Sequence, residues 1–145
     1  MDHFAIRSAI SEASEVGLPA RRPDVIYASL SAYGFCGPDY ARPGYDAALQ
    51  ARTGIMSVTG PGEGGAPIRA GVSILDLGTG VWMALGILAA LLERQRSGRG
   101  QRVDASLFQS GVMLMSYHHL YREFAGVNPR PQGSRPAAIR QEDAP

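Results

Sequence analysis

The sequence predicts an α/β fold with parallel pairing, and three observations carry that expectation. The segment from Leu77 to Leu92 holds 16 residues without a charge, which suits a helix largely withdrawn from water. Two β-rich stretches lie on either side of it in the chain, one around Val25, Ile26 and Tyr27 and one in "QRVDASLF". Strands separated by helical sequence pair in parallel, because the crossover brings the chain back to the same end of the sheet. A chain of 145 residues with 45% hydrophobic content can bury one core, so a single globular unit is expected.

The first strand, in "DVIYASLSAYG", ends in "GFCGP", where Gly34, Gly37 and Pro38 punctuate a loop. "GYDAALQARTG" reads as a short helix with Asp46 as N-cap and Gly54 as its stop. A glycine- and proline-rich connection covers Ser57 to Gly71. The long helix follows from about Leu75 to Arg96, with Arg94 and Arg96 at the negative end of its dipole and Gly98 closing it. In the second strand Val103, Ala105 and Leu107 alternate onto one face. A last helix runs from about Phe108 to Ala125 with Gly126 as its cap. The tail "NPRPQGSRPAAIRQEDAP" has no periodicity and is expected to be extended or disordered.

Charge and composition narrow the function classes. Lys and Arg number 14 against 13 Asp and Glu, which provides no basic field for nucleic acid and no polybasic stretch for a membrane surface. The uncharged stretch falls short of the roughly 20 residues of a spanning helix, and its glycines dilute it, so a helix buried in a soluble protein is expected. Cys36 has no partner for an internal disulfide, and the acidic opening "MDHFAIRSAISEASEVG" lacks a signal-peptide core. A cytoplasmic protein acting on a small molecule, or on another chain, is the expectation.

Several motifs carry less than they promise. Gly60, Gly62 and Gly65 satisfy G-x-G-x-x-G, but no strand and helix flank them, so a flexible loop is expected. His118 and His119 are adjacent, which on a helix points them in different directions. One is expected in a core or interface and the other in solvent, with no metal site. Cys36 is read as an inert buried thiol.

Asp76, at the mouth of the uncharged helix, bears two readings. Ser73-x-x-Asp76 has capping-box spacing, and local pattern alone favours that structural role. A carboxylate at a helix start, with Gly71, Gly78 and Gly80 leaving room for close approach, can also act as a covalent nucleophile.

The motifs "Y-G-x-x-G-P", "R-P-G-Y-D", "D-x-x-T-G" and "E-R-x-x-[ST]-G-[RK]-G-Q-x-V-D" occur here in that order, from Tyr33 to Asp104. Over about Arg22 to Ile139 the chain closely resembles the central part of the class III CoA-transferases, the family that includes formyl-CoA transferase, carnitine CoA-transferase and the α-methylacyl-CoA racemases. The resemblance implies part of a Rossmann-like parallel-sheet domain with a long buried central helix. It makes Asp76 the counterpart of the catalytic aspartate, which attacks an acyl-CoA thioester. Tyr45 matches a substrate-positioning tyrosine of the transferases, where racemases carry a histidine. Phenols are poor bases at neutral pH, which favours transfer over racemisation. Gly44 and Tyr45 are the implied contacts to coenzyme A, a substrate here, and no tightly bound cofactor is expected.

Members of that family are much longer and form interlaced dimers. The resemblance therefore implies a central segment, with residues 1–20 as a non-matching lead, 21–126 as large-domain sequence and 127–145 as the tail. A catalytically inactive α/β module that acts only by association is the alternative expectation.

Overall fold

The computed structural model of the chain describes residues 22–62, 65–131 and 133–134. Strand β1 is Tyr27–Ser31, and it precedes helices α1 (Asp46–Arg52), α2 (Ile55–Val58) and α3 (Ile74–Ser97). Strand β2 (Arg102–Ser106) then leads into α4 (Leu107–Leu114) and α5 (Ser116–Ala125). Among the described residues the two strands form a parallel pair with Tyr27 opposite Arg102 and Ser31 opposite Ser106. The α/β fold and parallel pairing match the expectation from sequence. The lead at 1–20 and most of the tail lie outside the described residues, while 127–131 carry neither helix nor strand.

The residues just beyond each strand position the sheet. After β1, the Ala32 carbonyl accepts a hydrogen bond from Phe108 N–H at 2.9 Å, which ties the start of α4 to the end of the first strand. Ser106 ends β2 and caps α4, its hydroxyl accepting from Gln109 N–H at 3.2 Å. Leu107 is consequently the first residue of a helix, not the last inward position of the strand, and it is buried in the core. That core joins Leu107 and Met115 to Ala32, Leu49, Ile55 and Leu75, with Tyr33 and Phe108 packed against it.

The long helix begins at Ile74 and ends at Ser97, within a residue of its expected bounds. Gly98 closes it with φ of 70°, its N–H donating to the Arg94 carbonyl at 2.8 Å. Its environment corrects an expectation: only one stripe, Leu75, Thr79, Met83 and Ala90, is buried. Leu77, Val81, Leu85, Leu88 and Leu92 are exposed, because the two described strands and α4 cover a single face. By length and composition alone α3 could cross a membrane, with a mean hydropathy of 1.8. Its buried stripe nevertheless packs as a core helix does, with the Thr79 hydroxyl donating to Ser110 Oγ on α4 at 2.8 Å.

Three further corrections concern local detail. The helix expected from 108 to 125 is divided at Met115, whose side chain is buried in the core. A short α2 occupies Ile55–Val58, overlapping the start of the expected connection, after Gly54 turns the chain with φ of 87°. Cys36 is exposed, since the loop after β1 carries it away from the core.

Candidate active site

Asp46 organises the site from the first turn of α1. Tyr45 holds the N-cap position with extended backbone, so Asp46 is the first helical residue rather than the expected N-cap, and no side chain caps this helix. The Asp46 carboxylate reaches across to α3 instead: Oδ2 accepts from Leu75 N–H at 2.8 Å and from Asp76 N–H at 3.3 Å. These are two of the amides that a helix start leaves without internal partners. Ser73 does stand at the N-cap of α3, yet its side chain caps nothing. The expected Ser73–Asp76 capping box is therefore replaced by a cap supplied from a distant part of the sequence.

Behind Asp46 stands Gln50, one helical turn later and fully buried. Its Nε2 donates to Asp46 Oδ1 at 2.5 Å and to the Val72 carbonyl at 3.4 Å, while its Oε1 accepts from Ala70 N–H at 2.8 Å. The extended approach to α3 is thus stitched to α1 at Ala70, Val72, Leu75 and Asp76. Asp46 itself is only 4% exposed, and its negative charge is met by these donors and by the positive end of α3.

With the amides engaged by Asp46, the Asp76 side chain is left exposed in the first turn of α3. Tyr45 is 72% exposed and directly precedes Asp46, the residue that binds the Asp76 amide. Gly44 is held by packing: a β-carbon there would stand 2.6 Å from Leu49 Cδ2 and 2.7 Å from Ala32 Cβ. Gly78 and Gly80 meet nothing within 4 Å, which leaves the helix surface beside Asp76 open.

Comparison with known proteins decides the family to which these motifs belong. The sequence model of CoA-transferase family III matches residues 12–144. The chain belongs to CoA-transferase family III. This family III chain is 41% identical over 122 residues to an acyl-CoA transferase of Fusarium pseudograminearum, covering 84% of this chain and 26% of that protein. It is 44% identical over 94 residues to the succinyl-CoA:glutarate CoA-transferase of Mus musculus, covering 65% of this chain and 21% of that protein. A CAIB/BAIF family protein from Brucella suis has a similar structure, with TM-score 0.77 and 31% identity over 87% of this chain and 34% of that one. The family III chain spans about a quarter of the length of the curated relatives it matches.

No group of three or more His, Cys, Asp or Glu side chains suited to a metal occurs among the described residues. His118 is buried and His119 exposed, in line with their different directions on the helix. A separate cavity of about 360 Å³ is lined by Thr53, Ser57, Met115, His118, His119 and Arg122, and neither Tyr45 nor Asp76 borders it. Sequence reasoning missed the part played by Asp46 and Gln50. Their i, i+4 spacing within one short helix was the available signal, but the Leu75 partner 29 residues away was not legible.

Proposed function

We propose that this chain carries the nucleophile segment of a CoA-transferase, with Asp76 as the attacking carboxylate and Tyr45 as a substrate-positioning hydroxyl. The observation that carries the reading is the exposed Asp76 side chain at the start of α3, its backbone amide held by buried Asp46, which follows exposed Tyr45 in the chain. A carboxylate whose backbone is fixed and whose oxygens are free can meet a thioester without reorganising the helix that bears it.

In this reading an Asp76 oxygen attacks the acyl-CoA carbonyl and expels the CoA thiolate, leaving a mixed anhydride. The thiolate then attacks the aspartyl carbonyl, releasing the donor acid and forming an aspartyl thioester. The acceptor carboxylate attacks that thioester, giving a second anhydride and free thiolate. Attack of the thiolate on the acceptor carbonyl forms the new acyl-CoA and returns the aspartate, which keeps one oxygen from the acceptor. The activated acyl group is never lost to water, provided the site stays closed to it.

The substrates in this reading are an acyl-CoA and a carboxylic acid, the pair that the name of the Mus musculus relative gives for that protein. The experiment follows the oxygen. Turnover with an acceptor acid labelled in both carboxylate oxygens with oxygen-18 should place label in Asp76, read by peptide mass spectrometry. Exchange of CoA without label in Asp76 would mean direct transfer and would remove the covalent step.

A second reading, association without catalysis, draws on the exposed apolar face of α3. That face gives the chain a surface for a larger assembly. It is compatible with Asp76 remaining a nucleophile within such an assembly.

A further inference from the structure

We propose that Asp46 and Gln50 form a directional clamp that positions Asp76, and that the clamp, more than any capping by Ser73, sets the reactivity of that carboxylate. The proposal rests on the reading of Asp76 as nucleophile. The polarity of the pair is dictated from both ends by backbone donors. Ala70 N–H requires an acceptor at Gln50, which fixes Oε1 toward the loop and leaves Nε2 facing Asp46. Leu75 and Asp76 N–H require an acceptor at Asp46. Only an acceptor-only group at position 46 can accept from the helix and from Gln50 at once. No buried side-chain nitrogen or oxygen among the described residues lacks a partner, so each polar atom of the pair is engaged.

The clamp acts on the nucleophile through the backbone. Apart from these contacts, the described backbone bonds of residues 70 to 73 are those from Ile74 N–H to the Val72 carbonyl and from Leu77 N–H to the Ser73 carbonyl. Releasing the contacts to Asp46 and Gln50 frees the first turn of α3, and Asp76 belongs to that turn.

The polarity argument predicts which substitutions fail and which rescue. Asp46→Asn retains an acceptor for α3 but turns an NH2 toward Gln50 Nε2, so two donors face each other. Gln50 cannot flip without orphaning Ala70 N–H. Adding Gln50→Glu to Asp46→Asn restores complementarity at these contacts, since the new carboxylate accepts from Ala70 N–H and from the new amide, while the 3.4 Å bond to Val72 is replaced by a weaker contact between two acceptors. Gln50→Glu alone places two carboxylates face to face in a buried site.

Two measurements on the 145-residue chain test this. Amide hydrogen exchange at Ala70, Leu75 and Asp76 should quicken by about 10- to 100-fold in Asp46→Asn and return toward wild type in the double variant. Trapping of an Asp76 adduct at saturating succinyl-CoA should slow in Asp46→Asn, without a matching rise in half-saturating substrate concentration, and recover in the double variant. Loss of folded chain alone would lower the amount of adduct formed and leave its rate constant unchanged. Unchanged exchange in Asp46→Asn, or a double variant as fast-exchanging as the single, would overturn the clamp. A wild-type chain that forms no adduct while exchange follows the predicted order would overturn the nucleophile reading and leave the clamp's geometry supported.

Discussion

Gly86 on α3 lies against Val103 on β2 so closely that a β-carbon added to the glycine would stand 2.6 Å from Val103 Cγ1. This contact sets the depth at which the long helix sits on the sheet. Gly86→Ala gains helix propensity of about 0.8–1 kcal/mol but forces a stiff β-branched neighbour to move, at about 1–3 kcal/mol. A net loss of stability is expected. On the same helix Gly80→Ala meets nothing within 4 Å and should raise stability by roughly 0.5–1 kcal/mol. Urea unfolding of the two variants checks the difference in sign.

Two serines offer the same local pattern and different behaviour. Ser106 accepts from Gln109 N–H and its hydroxyl donates to Gln109 Oε1 at 3.0 Å, whereas Ser73 caps nothing. Ser106→Ala should therefore cost about 1 kcal/mol, and Ser73→Ala should stay within about 0.5 kcal/mol. Equal losses in thermal unfolding would place a cap on Ser73 that the structure does not contain.

These serines also mark how far the sequence could be read. The long helix, its Gly98 stop and the parallel strands were legible because periodicity, dipole-matched arginines and glycine punctuation all act locally. Asp46 was legible as a helix start, but not as the cap of another helix, because its partners at Leu75 and Asp76 are brought near only by tertiary packing. The exposed apolar side of α3 was hidden for a related reason. An uncharged run announces burial, while the cover on each face depends on neighbours elsewhere. Family resemblance supplied the preference for Asp76 as a nucleophile over a cap, which spacing alone did not.

Acid should weaken the fold through His118. Burial pushes its imidazole below the ordinary histidine range, and His119 beside it acts in the same direction. The unfolded chain then binds a proton that the folded chain resists, so stability rises with pH across this interval. It is fully present above the unfolded histidine value of about 6.5 and is lost as pH falls through that value toward the depressed one. Unfolding free energies between pH 8 and pH 5 should fall less steeply in His118→Gln than in wild type. Parallel slopes would assign the acid sensitivity to other groups.

The uncovered face of α3 makes a further prediction. Leu77 and Leu92 are 67% and 64% exposed, with Val81, Leu85 and Leu88 between them. A continuous apolar surface of this kind drives association or binds hydrophobic dyes. The purified chain should self-associate in sedimentation, and Leu85→Lys with Leu88→Glu should reduce both association and dye fluorescence. A monomeric wild-type chain that binds no dye would contradict the exposure.

The most direct measurement is covalent capture at Asp76. The chain, incubated with succinyl-CoA and quenched with hydroxylamine, should yield a hydroxamate on the peptide containing Asp76, and Asp76→Asn should yield none while keeping its fold. An asparagine is a competent helix-end residue, so a purely structural Asp76 predicts modest loss of stability and undiminished CoA exchange in that variant. Modification of the wild type at Asp76 alone is the expected result. CoA exchange retained in Asp76→Asn, or a hydroxamate on another residue, would contradict the account.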